Sequence, residues 1–111
     1  MNTNRTPVRP GKVPRWDENL SVELGPAQTV EHTGGRQWLV YVDDVEIGLA
    51  EENMTRYGAG PWLQEGWRFK PAFPMDPLRT RRKYSSRAAA IGRLVNAWID
   101  AGRPLPEGGD A

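Results

Sequence analysis

An α+β fold, a small three-stranded antiparallel sheet packed by one C-terminal helix, is what this 111-residue chain predicts. Three features carry that expectation: two alternating apolar runs separated by Asp43–Asp44, a third run opening at Trp67, and an apolar stripe at helical spacing after Ser86. The order strand, strand, long connection, strand, helix leaves the helix to cover one face of the sheet.

Residues 1–15, MNTNRTPVRPGKVPR, hold three Pro and four cations with only two Val, and read as a disordered basic arm before a single domain at 16–103. Within Trp16–Pro26, Leu20, Val22 and Leu24 alternate as in a short edge strand, stopped by Gly25–Pro26. In QWLVYV (37–42), Trp38, Val40 and Val42 share one face, and Val45, Ile47 and Leu49 resume the alternation over 45–50. Two such runs two residues apart form a β-hairpin; Asp-Asp leaves its turn type open. From Glu51 to Gly66, Gly58, Gly60, Pro61 and Gly66 argue for a long connection. The third strand, 67–72, sets Trp67 and Phe69 against Arg68 and Lys70, and Pro71, which lacks a backbone donor, ends it or makes it an edge. PAFPMDPLRTRRKY then reads as irregular. Ser85 or Ser86 caps a helix at 86–101, whose face is Ala88, Ile91, Leu94, Val95 and Trp98; Gly102 and Pro104 end it, and 104–111 is a flexible tail. The expected core is Trp38, Val40, Val42, Val45, Ile47, Leu49, Trp67, Phe69, Ile91, Leu94, Val95 and Trp98.

Composition excludes several classes of function. The absence of Cys removes disulfides, thiolate metal sites and a cysteine nucleophile. No apolar run approaches the roughly 18 residues of a membrane helix, and the basic N-terminus lacks the apolar segment of a secretory signal; a cytoplasmic protein without membrane partners is expected. His32, the only histidine, stands in the polar stretch EHTGG with no second ligand for a metal. Ser85 and Ser86 are explained by capping, and Asp43 and Asp44 by turn formation. YGAGPW lacks the Lys-Ser/Thr and the following helix of a phosphate loop. The expectation is therefore a non-enzymatic protein with no cofactor and no metal.

Charge is segregated along the chain. Arg5, Arg9, Lys12 and Arg15 give the first 16 residues +4; nine acids against Arg36 give residues 17–52 a local −8; and residues 67–93 return to +7. Either the blocks neutralise each other in the fold or they meet a charged partner. Twelve of the fifteen cations are Arg, whose planar fork suits phosphates and bases. The candidate nucleic-acid surface is Arg68, Lys70, Arg79, Arg81, Arg82, Lys83 and Arg87, with Tyr84 available for stacking. Tyr57 and Trp62 are further aromatics that could stack. DNA is the partner this set suits first. A protein-binding module or inhibitor is the alternative, docking through the acidic Asp43, Asp44, Glu46, Glu51 and Glu52 with Trp62 as anchor.

Trp38 leads the first strand, and Tyr84-Ser85-Ser86-Arg87-Ala88-Ala89 opens the helix with an aromatic, a hydroxyl, a cation and alanines. In these features the stretch from RQWLVYVDD to KYSSRAAAIGRLVNAWI, about 65 residues, resembles the small N-terminal arm-binding domains of phage-type integrases. The resemblance implies a three-stranded sheet on a C-terminal helix and a DNA-binding accessory role in a phage or other mobile element. With no catalytic domain following, no recombinase activity is expected.

Overall fold

The computed structural model describes residues 5–8 and 20–105. These form a six-stranded antiparallel sheet with two helices, in place of the three strands and single helix expected. In chain order they are β1 (Thr6–Val8), β2 (Val22–Leu24), β3 (Gln28–Thr29), β4 (Arg36–Val42), β5 (Val45–Arg56), β6 (Trp62–Pro71), α1 (Pro77–Thr80) and α2 (Arg87–Asp100). The order across the sheet is β1-β2-β4-β5-β6, with β3 and β2 lying end to end along one edge of β4. Among the described residues no helix is long and apolar enough to cross a membrane.

Each departure from the expected fold has a local cause. Thr6–Val8, expected within a disordered arm, pairs with Leu24–Val22. Arg5 anchors it: its guanidinium lies 3.7 Å from the Tyr41 ring centroid and ion-pairs with Asp44 and Glu23. Arg9, Lys12 and Arg15, like the end of the tail at 106–111, lie outside the described residues. The expected long connection at 51–66 is mostly strand, because β5 runs on to Arg56 and β6 begins at Trp62. Gly58, Gly60 and Pro61 fall in the tip, while Gly66 (φ +86°) is a bulge inside β6, where three steps from Gln64 to Trp67 oppose two from Met54 to Glu52. The amide of Asn53 fills that irregularity by donating to the Glu65 carbonyl at 3.0 Å.

Asp43 (φ 49°) and Asp44 (φ 69°) are both left-handed, as in a type I′ hairpin turn, which matches the twist of the flanking strands. The Asp43 carboxylate also accepts the Ser21 amide at 3.0 Å and ties the turn to the start of β2. A second bulge interrupts β5: Val40 faces Gly48, yet Tyr41 faces Glu46. The extra residue shifts the alternation, so Ile47 and Ala50 are buried against the helix. Leu49, expected in the core, instead pairs with Leu39 and Lys70 and is only half-buried.

The core lies between the sheet and α2. Ile91, Leu94, Val95 and Trp98 meet Trp38, Val40, Val42, Ile47 and Phe69, joined by Val22, Leu24 and Phe73. Val45 and Trp67 pack at its margin. The hydroxyl of Ser86 caps α2 by accepting the Ala89 amide at 3.1 Å. Beyond the helix, the Trp98 indole N–H donates to the Pro104 carbonyl at 2.8 Å and holds the outgoing chain.

Candidate nucleic-acid interface

The sheet divides the expected basic set in two. Phe69 is buried on the helix side, so Arg68 and Lys70 project from the opposite face of β6. There they converge on Glu51, a carboxylate only 7% exposed, at 3.2 Å from Arg68 Nε and 3.5 Å from Lys70 Nζ. Their charge is in part consumed within the fold.

The acidic residues do not form one docking surface. Glu52 accepts from the backbone and guanidinium of Arg36 at 2.8 and 3.2 Å, and the side-chain bond holds its carboxyl below the usual range. Asp44 is engaged by Arg5 and Asp43 by Ser21, while Glu46 is exposed. Trp62 pairs with Arg56 at the far end of β5 from the Asp43–Asp44 turn, the length of a strand of 12 residues away, or about 35 Å. Its ring is half-buried, edge-on to His32 at 5.4 Å, with the Arg56 guanidinium 5.9 Å from its centroid. Tyr57, at the hairpin tip, is exposed, and its hydroxyl bonds the Glu65 carboxylate at 2.6 Å. That bond pushes the phenol up and the carboxyl down.

On the helix side Arg79 and Arg82 converge on one groove, while Arg87 stands apart beside Thr6–Val8 and Leu24. After β6 the chain is pinned where the Ala72 amide donates to the Ile47 carbonyl at 2.9 Å. It turns through α1, capped by Asp76, and exposes Arg79, Arg81, Arg82 and Lys83. Tyr84 then docks back on β6, exchanging backbone hydrogen bonds with Trp67 at 2.7 and 2.9 Å. Its ring stacks on Phe69 with centroids 6.1 Å apart, so one aromatic face is committed to the protein. Arg87, the first residue of α2, lies 4.7 Å from the Trp38 ring centroid.

Between this loop and α2 runs a groove of about 320 Å³. Phe69, Met75 and Ala97 contribute apolar lining, and Arg79, Arg82 and Arg93 bring three guanidinium groups to it. No carboxylate among the described residues forms an ion pair with Arg79, Arg81, Arg82 or Arg93. Arg93 was not among the site residues drawn from the sequence, although helical spacing could have found it: Arg93, Asn96 and Asp100 recur at i, i+3 and i+7 on the face opposite the core. All three line the groove.

No family model matches the chain, and no curated protein or solved structure matches it.

Proposed function

We propose that this is a small, non-enzymatic nucleic-acid-binding protein whose phosphate contacts come from Arg79, Arg81, Arg82 and Lys83, extended by Arg93. The observation that carries the reading is the concentration of these exposed cations on a loop fastened to the sheet at Ala72 and Tyr84, with no ion pair to its arginines among the described residues. Unpaired guanidinium groups meet phosphate without first breaking an internal ion pair, and the two backbone attachments limit the loop order lost on binding. Arg68 and Lys70, which share Glu51, are secondary contacts at most. The acidic set offers a weaker surface for a protein partner, since Asp44, Glu51 and Glu52 are tied to internal cations and the set is spread along the sheet.

Replacing Arg81, Arg82 and Lys83 together with Ala tests the assignment by fluorescence anisotropy on labelled oligonucleotides across a salt series. Affinity falls to a similar degree on every sequence, and the slope of log K against log salt flattens by about 0.7–0.9 for each phosphate that is no longer neutralised. Unchanged affinity and slope would remove these residues from the interface.

A further inference from the structure

The groove is small and mixed in character. Its volume of about 320 Å³ stands at the small end of the roughly 300–1,000 Å³ typical of small-molecule sites, and its lining changes character from one part to the next. Met75, Ala97 and the exposed Leu78 supply apolar contact, while Arg79, Arg82 and Arg93 supply guanidinium planes that can stack on a base or grip its phosphate. Asp100 adds a carboxylate, which when ionised only accepts hydrogen bonds.

Resting on the nucleic-acid reading above, we propose that this groove holds one unpaired nucleotide, so that the protein prefers single strands to duplex, and that Asp100 selects bases carrying an exocyclic amino group. A duplex keeps its bases paired and stacked, and extruding one costs a few kcal/mol; a single strand presents them free. Cytosine and adenine offer an amino donor to the Asp100 carboxylate, whereas thymine and uracil present carbonyl oxygens in its place. The guanidinium groups hold the phosphate in either case, so they supply affinity and Asp100 supplies the choice.

The test is anisotropy at one fixed salt concentration with short oligodeoxycytidine, oligocytidine, oligothymidine and a mixed-sequence duplex of equal length. Either cytidine strand binds more tightly than both the duplex and oligothymidine, by at least about fivefold. Leu78→Ser, at a position 71% exposed and therefore free of the core, removes apolar contact from the groove mouth and brings single-strand affinity toward the duplex level. Asp100→Asn erodes the discrimination between cytidine and thymidine strands, and backbone amide shifts at Met75, Ala97 and Asp100 follow titration with cytidine monophosphate. Equal binding of single strands and duplex, or a preference that Leu78→Ser leaves unchanged, overturns this inference while leaving phosphate binding intact. No binding to any oligonucleotide at low salt overturns the underlying reading as well.

Discussion

Replacing Gly48 with Ala addresses the bulge that sets which residues of β5 reach the core. A Cβ at this position would lie 2.3 Å from the Lys70 carbonyl oxygen and 3.0 Å from the Pro71 Cα, both backbone atoms of the paired strand β6. Neither can rotate away, because β6 is held to β5 in register on both sides of the hairpin's bulge. The backbone φ of +150° is also one that L-residues rarely adopt. Steric overlap of this kind costs about 1–3 kcal/mol, and an unfavourable backbone conformation about 1–3 kcal/mol more. Together they remove roughly 2–6 kcal/mol from a domain whose whole stability is on the order of 5–15 kcal/mol. At about 4–8 °C per kcal/mol for a chain of this size, melting falls by ~10 °C or more. Tryptophan fluorescence during thermal or urea unfolding measures it directly. Gly34→Ala is the control, since Gly34 has φ +77° but no atom within 4 Å of its Cβ position, and it loses only the left-handed preference of roughly 1–2 kcal/mol. If the two variants melt together, the close approach of β6 is not what reserves position 48 for glycine.

Three further outcomes follow from local geometry. Ser86→Ala removes the cap of α2 and costs about 0.5–2 kcal/mol, whereas Ser85→Ala stays within about 0.5 kcal/mol of the parent; circular-dichroism melts separate them. Arg68→Met leaves the Glu51 carboxylate with Lys70 alone and costs about 1–3 kcal/mol, while Glu51→Gln costs less because the Arg68 and Lys70 side chains, 38% and 58% exposed, reach water; urea unfolding gives the ranking. The Glu52 carboxyl is held below its ordinary value of 4.5 by the bond from Arg36, so its contribution is complete above that pH and is lost as the pH falls through the lowered value. Arg36→Met therefore reduces the acid limb of a stability profile, leaving the part due to Glu65, which the Tyr57 hydroxyl lowers in the same direction.

The hairpin about Asp43–Asp44 and the helix after Ser86 were legible because their signals are local: period two, period 3.6, and turn or cap residues where each element begins. The β5–β6 extension was not, because a glycine inside a strand and glycines at a hairpin tip look alike in sequence; only pairing with Met54 and Glu52 makes Gly66 a bulge. Strand β1 was hidden for a related reason. Thr6–Val8 has little apolar content of its own and is ordered by Val22–Leu24 and by the hold of Arg5 on Tyr41 and Asp44. Leu49 misled because alternation assumes an unbroken register, which the bulge at Ile47–Gly48 resets. At the candidate site, charge segregation named the Arg79–Lys83 run. The partial neutralisation of Arg68 and Lys70 by Glu51 depends on strand register across the sheet and left no mark in the local sequence.

The segment between Ala72 and Tyr84 starts and finishes on the same scaffold, one end on β5 and the other on β6. Such a segment behaves as an exchangeable cassette. Its closure is set by the two attachment points, and doubling a flexible loop's length adds only about 0.6 kcal/mol of entropic cost. Sequence and length from Pro74 to Lys83 can change while the sheet and α2 keep their packing, provided that Phe73 stays in the core and Tyr84 still meets Trp67 and Phe69. The architecture thus separates the part that must fold from an exposed stretch that is free to diverge, and the charge it carries can change without redesigning the core.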